Sequence, residues 1–406
     1  MLKQPVFINS IASISALGTT SDEIWNNYLH ENSLFQKFDA NNKQYWVSKF
    51  SEESTQVLQD IMISDSKYKH LDKSVVMAIL VARKCFENSR FLDKNVGINF
   101  GSSRGATTLF EKHHSDFISD GFVSTFTSPS TTLGNISSWV SHDLQTEGPE
   151  ISHSITCSTG LHAVLNGIAW LQSGMSNQFL VGASEAPLTP FTLSQLSALK
   201  VYSTEENALA NRSLDFSKTT NTMVLGEAAV CLSLSLSSEN VIAKITGIGF
   251  ATEVLSSSTS ISSDAKCFQK SMKMAIGSNN LEDIDAIVMH APGTIQGDVT
   301  EYEAIKILFG NNLPLLTSNK WKVGHTFATS GLLSLELAIL MLQNQYFIES
   351  PFYKNSTCKK LKKILVNAVV FGGVMTILTV TFTSFALPNF RKLDLEKEVE
   401  DLENNN

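Results

Sequence analysis

One cysteine lies at a junction where a reactive thiol would be expected. Cys157 occurs in the segment ISHSITCSTGLHAV, residues 151–164, where a β-branched run ends and a run of small, helix-forming residues begins. A thiol at the start of a helix meets free N–H groups and the positive end of the helix dipole, which favour the thiolate. An isolated cysteine is also commonly a small buried apolar residue. The rest of the sequence has to distinguish a nucleophile from a core residue.

Two of the nine histidines lie where they could assist a thiolate. His290 follows the apolar stretch DIDAIVM and opens the loop HAPGTIQGD, and His325 lies in SNKWKVGHTFATSG, before an apolar helix. A histidine in a loop of small residues is well placed to face a cleft. These residues suggest a Cys–His–His site, although spacing alone cannot show that they meet. The other histidines are assigned to the surface or to structural roles: His30, His70, His113, His114, His142, His153 and His162.

The overall composition is that of a globular protein. The chain has 406 residues, 43% of them hydrophobic and 17% charged, and a net charge of −8. This acidic balance provides no basic face for nucleic acid. The five scattered cysteines form no CxxC pair, so neither a zinc site nor a disulfide framework is indicated. We therefore expect a reducing compartment, and because MLKQPVFINS has no secretory pattern, a cytoplasmic protein.

Strands and helices alternate along most of the chain, which is typical of α/β folds. Cys157 lies between a strand-like stretch, SHSIT, and a long helical stretch, STGLHAVLNGIAWLQSG. Residues 30–70 are polar and are predicted to be irregular. Near residue 240 the alternation starts again, which suggests two similar α/β halves. These halves would have to position the cysteine in one and both histidines in the other.

Residues 363–382, KILVNAVVFGGVMTILTVTF, are apolar over about the length of a membrane span. The segment is rich in Val, Ile and Thr and is interrupted by two glycines at 372–373. These features favour two buried strands joined by a tight turn. We therefore predict no membrane span.

Four motifs resemble, in order, those of the β-ketoacyl synthases, condensing enzymes of the thiolase fold. The cysteine region is similar to their nucleophile region, HAPGTIQGDVTE and SNKWKVGHTFATSG to their two histidine loops, and VVFGGVM to their Gly–Phe–Gly–Gly turn. The resemblance runs from about residue 5 to about residue 383. It implies a thiolase-like α/β fold, with two similar βαβαβ-type halves in a five-layer α-β-α-β-α body. The halves would be 1–240 and 241–385, followed by a charged tail, 386–406.

The resemblance also implies roles for the site residues. Cys157 would be the acyl-accepting nucleophile, which suits a thiolate at a helix N-terminus. His290 and His325 would hydrogen-bond the malonyl thioester carbonyl and stabilise the enolate left as CO₂ departs. The backbone N–H groups of Cys157 and Phe371 would form the oxyanion hole, and Phe371 would also be the gate beside the cysteine.

Five charged residues are implied in supporting roles. Lys320 and Glu301 would support the region of the second histidine, with an ordinary surface ion pair as the alternative. Lys67, Lys69 and Lys73, in KYKHLDK, lie where the family places part of a basic patch that docks the acidic acyl carrier protein. Their alternative is a solvated helix start. No metal and no organic cofactor is implied beyond the phosphopantetheine arm of that carrier protein.

Several residues around the expected cleft depart from the family pattern. Ala–Pro at 291–292 replaces Gly–Thr, Thr–Asn–Thr at 220–222 replaces Arg–Asp–Gly, and Val–Met at 374–375 replaces Thr–Asn. These departures cast doubt on primary fatty-acid synthesis more than on the type of reaction. They make a specialised type II pathway, such as polyketide or polyene assembly, a credible setting.

We therefore predict a discrete condensing enzyme that loads an acyl group on Cys157 and joins it to a decarboxylated malonyl unit, giving a 3-ketoacyl carrier protein. One alternative is a non-catalytic, chain-length-factor-like subunit of a ketosynthase heterodimer. Another is a Cys–His acyl hydrolase or transferase that does not decarboxylate. The expected partners are the acyl carrier protein and a second subunit, in a homodimer or a pseudo-symmetric heterodimer. The primer and the acyl chain length are not determined by the sequence.

Overall fold

The computed structural model describes residues 2–91, 93–253, 265–356, 360–369 and 374–381. Its strands are β1 Val6–Ile14, β2 Gln36–Ala40, β3 Lys43–Ser48, β4 Gly97–Gly101, β5 Glu150–His153, β6 Gln178–Glu185, β7 Leu225–Gly226, β8 Ala228–Ser235, β9 Ala243–Thr252, β10 Ala286–Val288, β11 Leu315–Thr317, β12 Lys363–Val369 and β13 Val374–Thr381. Its α-helices are α1 Ser21–Leu29, α2 Glu52–Ser64, α3 Lys73–Ser89, α4 Thr107–Asp120, α5 Thr127–Thr131, α6 Asn135–Leu144, α7 Thr159–Ser173, α8 Pro190–Ala198, α9 Lys266–Ile276, α10 Ile295–Phe309, α11 Lys320–Val323 and α12 Ser330–Asn344. The predicted charged tail, 386–406, lies outside the described residues.

Two sets of five strands have the same topology. The N-terminal set has the order β5-β4-β6-β8-β1, and the C-terminal set has the order β11-β10-β12-β13-β9. In the first set β5, β4 and β6 are parallel, and β8 is antiparallel to both β6 and β1. In the second set β11, β10 and β12 are parallel, and β13 is antiparallel to both β12 and β9. This match confirms the predicted α/β fold of two similar halves.

Helices α7 and α12 lie between the two sets of strands. Their apolar side chains share one buried cluster with residues from both sets, such as Val181 of β6 and Val366 of β12. Because successive strand residues face opposite sides, Leu180 and Leu365 enter two other clusters. These clusters join the N-terminal set to α3 and α6, and the C-terminal set to α9 and α10. The result is the expected α-β-α-β-α order of layers.

The apolar segment 363–382 forms strands β12 and β13, which pair in antiparallel fashion. The prediction of two strands is confirmed, and the connection between them, 370–373, lies outside the described residues. One other run in the described part of the chain, Phe327–Asn344, is long and apolar enough to cross a membrane. Most of this run, 89%, is buried within the protein, as in the core helix of a globular fold.

The prediction of an irregular segment at 30–70 is wrong, because this segment holds β2, β3 and α2. Asn41 and Asn42 both have positive φ, at 50° and 58°, and join β2 to β3 in a two-residue turn. Asn tolerates this conformation well, so an Asn–Asn pair between two strands is a hairpin signal. Ser51 caps the N-terminus of helix α2, because its side chain accepts a hydrogen bond from the Ser54 N–H. Both signals are local and outweigh the polar composition.

Candidate active site

Cys157 lies in a tight turn between a strand and a helix, as the sequence predicts. The turn is a 3₁₀ turn, Thr156–Ser158, that follows β5 and leads directly into α7. Thr156 has a φ of 39°, and Thr159 Oγ1 stabilises the turn by donating to Thr156 O at 2.6 Å and accepting from Ile155 N at 2.8 Å. A β-branched residue with positive φ is strained, and such strain is concentrated at functional sites. The Cys157 side chain is buried.

The expectation of a stabilised thiolate is not met in this structure. Burial raises the pKa of the Cys157 thiol to about 12, and the Glu185 carboxylate raises it further. The backbone N–H of Cys157 and the Lys320 ammonium act in the opposite direction, but they are weaker. The thiol is therefore neutral before substrate arrives, because the loss of water around a buried charge outweighs the helix N-terminus.

His325 is held as a neutral imidazole in a single tautomer. Its backbone N–H donates to Val224 O at 2.7 Å, and its carbonyl accepts from Gly226 N at 3.1 Å. Its ring Nδ1 accepts a hydrogen bond from Phe327 N at 3.2 Å, so the ring proton lies on Nε2. Burial and the charge of Lys320 lower the pKa of His325 to about 3. His325 is therefore a hydrogen-bond donor at Nε2.

His290 is anchored through its backbone. Its N–H donates to Glu301 Oε1 at 3.0 Å, the Ala291 N–H donates to Oε2 at 2.9 Å, and Asn367 Nδ2 donates to Oε1 at 2.8 Å. The Nδ1 atom of the His290 ring is buried and has no hydrogen-bond partner among the described residues. Burial, followed by electrostatic interactions with His325 and Lys320, lowers the pKa of His290 well below its ordinary value. This imidazole is neutral as well.

The two imidazoles meet edge to face. Their ring centroids are 5.3 Å apart and their planes are at 88°. His325 makes a similar contact with the ring of Phe327, at 5.3 Å and 87°. Phe327 in turn shares a buried cluster with Cys157. The structure thus brings all three sequence-predicted residues to one buried place.

A glycine allows the cysteine turn to approach the second histidine loop. The turn Thr156–Ser158 packs against a second 3₁₀ turn, Phe327–Thr329, which precedes α12. Gly160, in the first turn of α7, faces this second turn, and a Cβ at this position would lie 2.6 Å from Ala328 O. Only a residue without a side chain permits such an approach. The glycine of the CSTG motif is therefore needed for the two turns to pack against each other.

Lys320 and Glu301 are both buried, which excludes the alternative of an ordinary surface ion pair. Lys320 Nζ donates to Asn319 Oδ1 at 2.9 Å, and burial lowers the pKa of Lys320 to about 8. Burial raises the pKa of Glu301 to about 7. Lys320 precedes the second histidine, as expected, but Glu301 binds the backbone of the first histidine loop. The Glu301 carboxylate also interacts electrostatically with Lys320 in the second histidine loop, so its support of that region stays a prediction.

The three lysines of KYKHLDK do not share one environment. Lys67 and Lys69 are exposed, and Lys67 Nζ lies 3.6 Å from the Asp65 carboxylate. Lys73 Nζ lies 2.6 Å from the buried carboxylate of Glu227, so its charge is balanced within the chain. The side chains of Lys67 and Lys73 are similarly exposed, at 40% and 38%, so a docking role for the three lysines stays a prediction. Phe371 lies outside the described residues.

One buried ion pair behind the first histidine loop was not predicted. Lys218 Nζ lies 2.6 Å from Asp298 Oδ2, and both side chains are almost fully buried. Asp298 Oδ1 also accepts from Gly293 N at 3.0 Å, and Oδ2 accepts from Leu214 N at 3.1 Å. Asp298 is the aspartate eight residues after His290 in the loop motif, so one partner was visible in the sequence. Spacing gave no means to locate the other partner, 80 residues away.

The site offers donors to a thioester but no evident place for a metal. Among the described residues, no group of three or more His, Cys, Asp or Glu side chains could hold a metal ion. Two neutral imidazoles beside a buried thiol can instead hydrogen-bond a developing oxyanion. This chemistry belongs to acyl transfer and to enolate stabilisation.

The family of the chain follows from comparison with known proteins. A family model described as the N-terminal domain of β-ketoacyl synthase matches residues 3–240, and one described as its C-terminal domain matches residues 242–352. The chain belongs to the β-ketoacyl synthase family. It is therefore a condensing enzyme of the acyltransferase type, and its class of reaction is the ketosynthase condensation of fatty-acid or polyketide synthesis.

The relatives of this β-ketoacyl synthase are distant but match it along most of its length. The chain is 24% identical over 407 residues to the 3-oxoacyl-[acyl-carrier-protein] synthase 2 of Coxiella burnetii, and the match covers 92% of this chain and 97% of that protein. A solved type II polyketide acyl carrier protein in complex with its ketosynthase, bound to the hexaketide, has a TM-score of 0.79 at 18% identity, covering 94% and 100%. The ishigamide ketosynthase/chain length factor has a TM-score of 0.80 at 16% identity, with the same coverage. These structures show the thiolase-like fold.

Proposed function

We propose that the protein joins an acyl group held on Cys157 to the two-carbon unit of a malonyl-acyl carrier protein, with loss of CO₂. The product would be a 3-ketoacyl-acyl carrier protein. The observation that carries this proposal is the pair of buried, neutral imidazoles, 5.3 Å apart, beside the turn that holds the cysteine. Hydrolysis without decarboxylation would need only one base, and it would leave the second neutral imidazole without a role.

In the first half of the reaction the Cys157 sulfur attacks the thioester carbonyl of the incoming acyl carrier. A new S–C bond forms, the bond to the carrier sulfur breaks, and the cysteine proton ends on the departing carrier thiol. Because the thiol is neutral at rest, its proton must leave as the carbonyl carbon is attacked. The nearby Lys320 charge and the backbone N–H at Cys157 favour the transient thiolate.

In the second half the malonyl thioester loses CO₂ and leaves an enolate. We assign the Nε2–H of His325 and a ring N–H of His290 to the enolate oxygen, since neutral imidazoles can donate without first losing a proton. One such donor typically contributes about 10²–10³-fold in rate. The enolate carbon then attacks the acyl group on Cys157, and the expelled thiolate takes up a proton and regenerates the resting thiol.

Two kinds of partner fit this reaction. The acyl carrier protein would bring both substrates on its phosphopantetheine arm, as a complex with a ketosynthase in a similar structure supports. A second subunit would pair with β5, which is the outermost strand of the N-terminal set and lies near α6. The nearby segment 110–133 exposes large apolar side chains that such a subunit would cover: Phe110, Phe117, Ile118, Phe122, Val123, Phe126 and Leu133.

The second candidate function is a chain-length-factor-like subunit without catalysis. Two similar structures contain a ketosynthase with its chain length factor, so the fold alone permits this role. The complete Cys157, His290 and His325 constellation favours the catalytic role, because a pocket-forming subunit needs none of these side chains.

Intact-mass analysis distinguishes the two functions. Wild type, Cys157→Ala and Cys231→Ala are each incubated with acyl and malonyl carrier proteins. Cys231 is a second buried cysteine, in β8 and outside the site, so its variant is the matched control. We expect an acyl adduct and ketoacyl product with wild type and Cys231→Ala, and neither with Cys157→Ala. An adduct on Cys157→Ala would contradict the nucleophile, and no adduct on any protein would favour the non-catalytic subunit.

A further inference from the structure

Three lysines in the described part of the chain are buried, and each ammonium is held by a different kind of group. Lys218 pairs with a carboxylate, and Lys322 donates to two backbone carbonyl groups. Lys320, in the second histidine loop, donates to the side-chain amide oxygen of Asn319 at 2.9 Å. Among the described residues it forms no ion pair. A buried charge needs a partner, and here the partner in contact is a neutral amide.

The Asn319 side chain is buried and connects three helices. Its Oδ1 accepts from Lys320 Nζ and also, at 3.4 Å, from Ser334 Oγ on α12. Its Nδ2 donates to the hydroxyl of Tyr28 on α1, at 3.4 Å. Because an ammonium can only donate, the oxygen of this amide has to face Lys320 and its nitrogen has to face away. The contacts with α1 and α12 therefore fix the amide in the orientation that Lys320 needs.

The charge of Lys320 acts on every part of the candidate site. It lowers the pKa of the Cys157 thiol and of both imidazoles. The charged groups that act on Lys320 in return are Glu301, Asp298 and the cysteine itself. Both carboxylates have closer partners, since Glu301 binds N–H groups of the first histidine loop and Asp298 pairs with Lys218. The charge of Lys320 is thus not cancelled by a carboxylate in contact with it.

We propose that Asn319 is a positioning residue whose neutral amide holds the Lys320 ammonium in the site without cancelling its charge. This inference rests on the proposed function, because the charge would serve the thiolate that Cys157 forms as it attacks an acyl carrier. A carboxylate at position 319 would also hold the ammonium, but the pair would be neutral and its field at the sulfur would be weak. An apolar side chain would leave the ammonium without an acceptor, and Lys320 would then lose its proton.

The test measures how fast iodoacetamide alkylates Cys157, a reaction that needs no carrier protein. Only the thiolate reacts, and a rise of one pKa unit lowers its fraction about tenfold. At pH 7 we expect Asn319→Asp to be alkylated about tenfold more slowly than wild type. Its urea unfolding midpoint should not fall, because aspartate has the same shape and can pair with Lys320. A role in folding alone predicts instead that slow alkylation occurs only together with a lower midpoint.

The matched control is Asn344→Asp, the same change at an exposed position at the end of α12, and it should keep the wild-type rate. Peptide mapping also follows Cys85 and Cys231, which are buried outside the site, so their alkylation reports any general opening of the fold. Asn319→Leu should also react about tenfold more slowly, since Lys320 is neutral in it. This second variant tests the proposal if Asn319→Asp folds poorly.

The dependence of the rate on pH gives a second readout. Because the pKa of the thiol is about 12, the wild-type rate should rise about tenfold per pH unit below pH 8. It should rise less steeply above about pH 8, where Lys320 loses its charge. Asn319→Asp should show no such change of slope, since its carboxylate keeps Lys320 protonated and already cancels its field.

The outcomes separate this inference from the proposed function. Asn319→Asp with the rate and the pH profile of wild type would overturn the positioning role and leave the proposed function intact. Alkylation that follows the expected pattern, in a protein that takes up no acyl group from any carrier, would support the role of Asn319 and overturn the proposed function.

Discussion

The two histidine loops reach the same place by different means. The His325 loop is fixed by backbone groups, because Val224 O and Gly226 N hold its main chain and Phe327 N holds its ring. The His290 loop is fixed by buried charge. The Glu301 carboxylate accepts hydrogen bonds from two backbone N–H groups of this loop. Asp298, which is paired with Lys218, accepts a hydrogen bond from the N–H of Gly293.

The difference determines what each imidazole can do. The Nδ1 atom of His325 is occupied, so this ring can only donate from Nε2 while it is neutral. The Nδ1 atom of His290 has no hydrogen-bond partner among the described residues, so none of them fixes the tautomer of this ring, and a bound substrate can select it. Backbone hydrogen bonds thus give one rigid donor, and buried charges give a firmly placed loop with an adaptable ring.

The largest expected effect comes from breaking the ion pair behind the His290 loop. Lys218→Met leaves the Asp298 carboxylate buried without its counterion, which should lower the free energy of unfolding by about 3–5 kcal/mol. The loss should be smaller at pH 5 than at pH 8. Without Lys218 the pKa of Asp298 rises further, so protonation removes the buried charge as the pH falls. Urea unfolding at the two pH values measures both effects.

The control for this variant lies on α10, the helix that carries Asp298. Lys306→Met removes a lysine that is exposed and pairs with the exposed Glu303, so it should change stability by less than about 0.5 kcal/mol. The double variant Lys218→Met/Asp298→Asn should recover part of the loss, because no charge remains buried. A loss below about 1 kcal/mol for Lys218→Met would mean that buried charge does not hold this loop.

The next prediction distinguishes the roles of the two ring nitrogen atoms of His325. Asparagine can place Oδ1 where Nδ1 accepts from Phe327 N, and glutamine can place an N–H where Nε2 donates. His325→Asn should therefore keep the unfolding free energy within about 0.5 kcal/mol but lower the rate of malonyl decarboxylation by about 10²–10³-fold. His325→Gln should retain more of the rate and lose about 1–3 kcal/mol, because the buried Phe327 N–H has no acceptor.

The same two substitutions at His290 test whether the two histidines differ in how their Nδ1 atoms contribute to stability. Within the part of the chain that the structure describes, His290 Nδ1 has no partner to lose, so His290→Asn and His290→Gln should be equally stable. CO₂ release from malonyl carrier protein and urea unfolding give the two readouts for all four variants. Equal stability of His325→Asn and His325→Gln would show that the Phe327 hydrogen bond does not matter to the fold.

The order of elements could be predicted from the sequence because it depends on local patterns. The strand before Cys157 follows from a β-branched stretch, and the helix after it and the pair β12 and β13 follow from apolar runs. The errors at 30–70 arose because polar composition was weighed above an Asn–Asn turn and a serine cap. Both of these signals can be seen in the sequence.

The candidate site could be predicted only in its residue types. Cys157, His290 and His325 follow from motifs, but their protonation depends on burial, which motifs do not express. Burial makes Cys157 a neutral thiol, whereas the sequence led us to expect a thiolate. Glu301, for which a surface ion pair was the alternative, is buried and binds the backbone of the first histidine loop. Lys218 could not be assigned at all, because its partner is distant in sequence and near only in the fold.

The smallest expected effect is an absence of titration. Because the pKa of His325 is about 3 and that of His290 is also far below its ordinary value, neither ring should gain a proton between pH 8 and pH 5. Ring ¹⁵N spectra over this range should show His325 with its proton on Nε2 throughout, and His290→Asn and His325→Asn identify the two signals. Free histidine, which titrates near pH 6.5, is the internal reference. Since no described residue binds Nδ1 of His290, only the His290 ring should change tautomer when an unreactive malonyl carrier analogue binds. A titration of His325 near pH 6.5, or a proton on its Nδ1, would remove the distinction between the rigid and the adaptable imidazole.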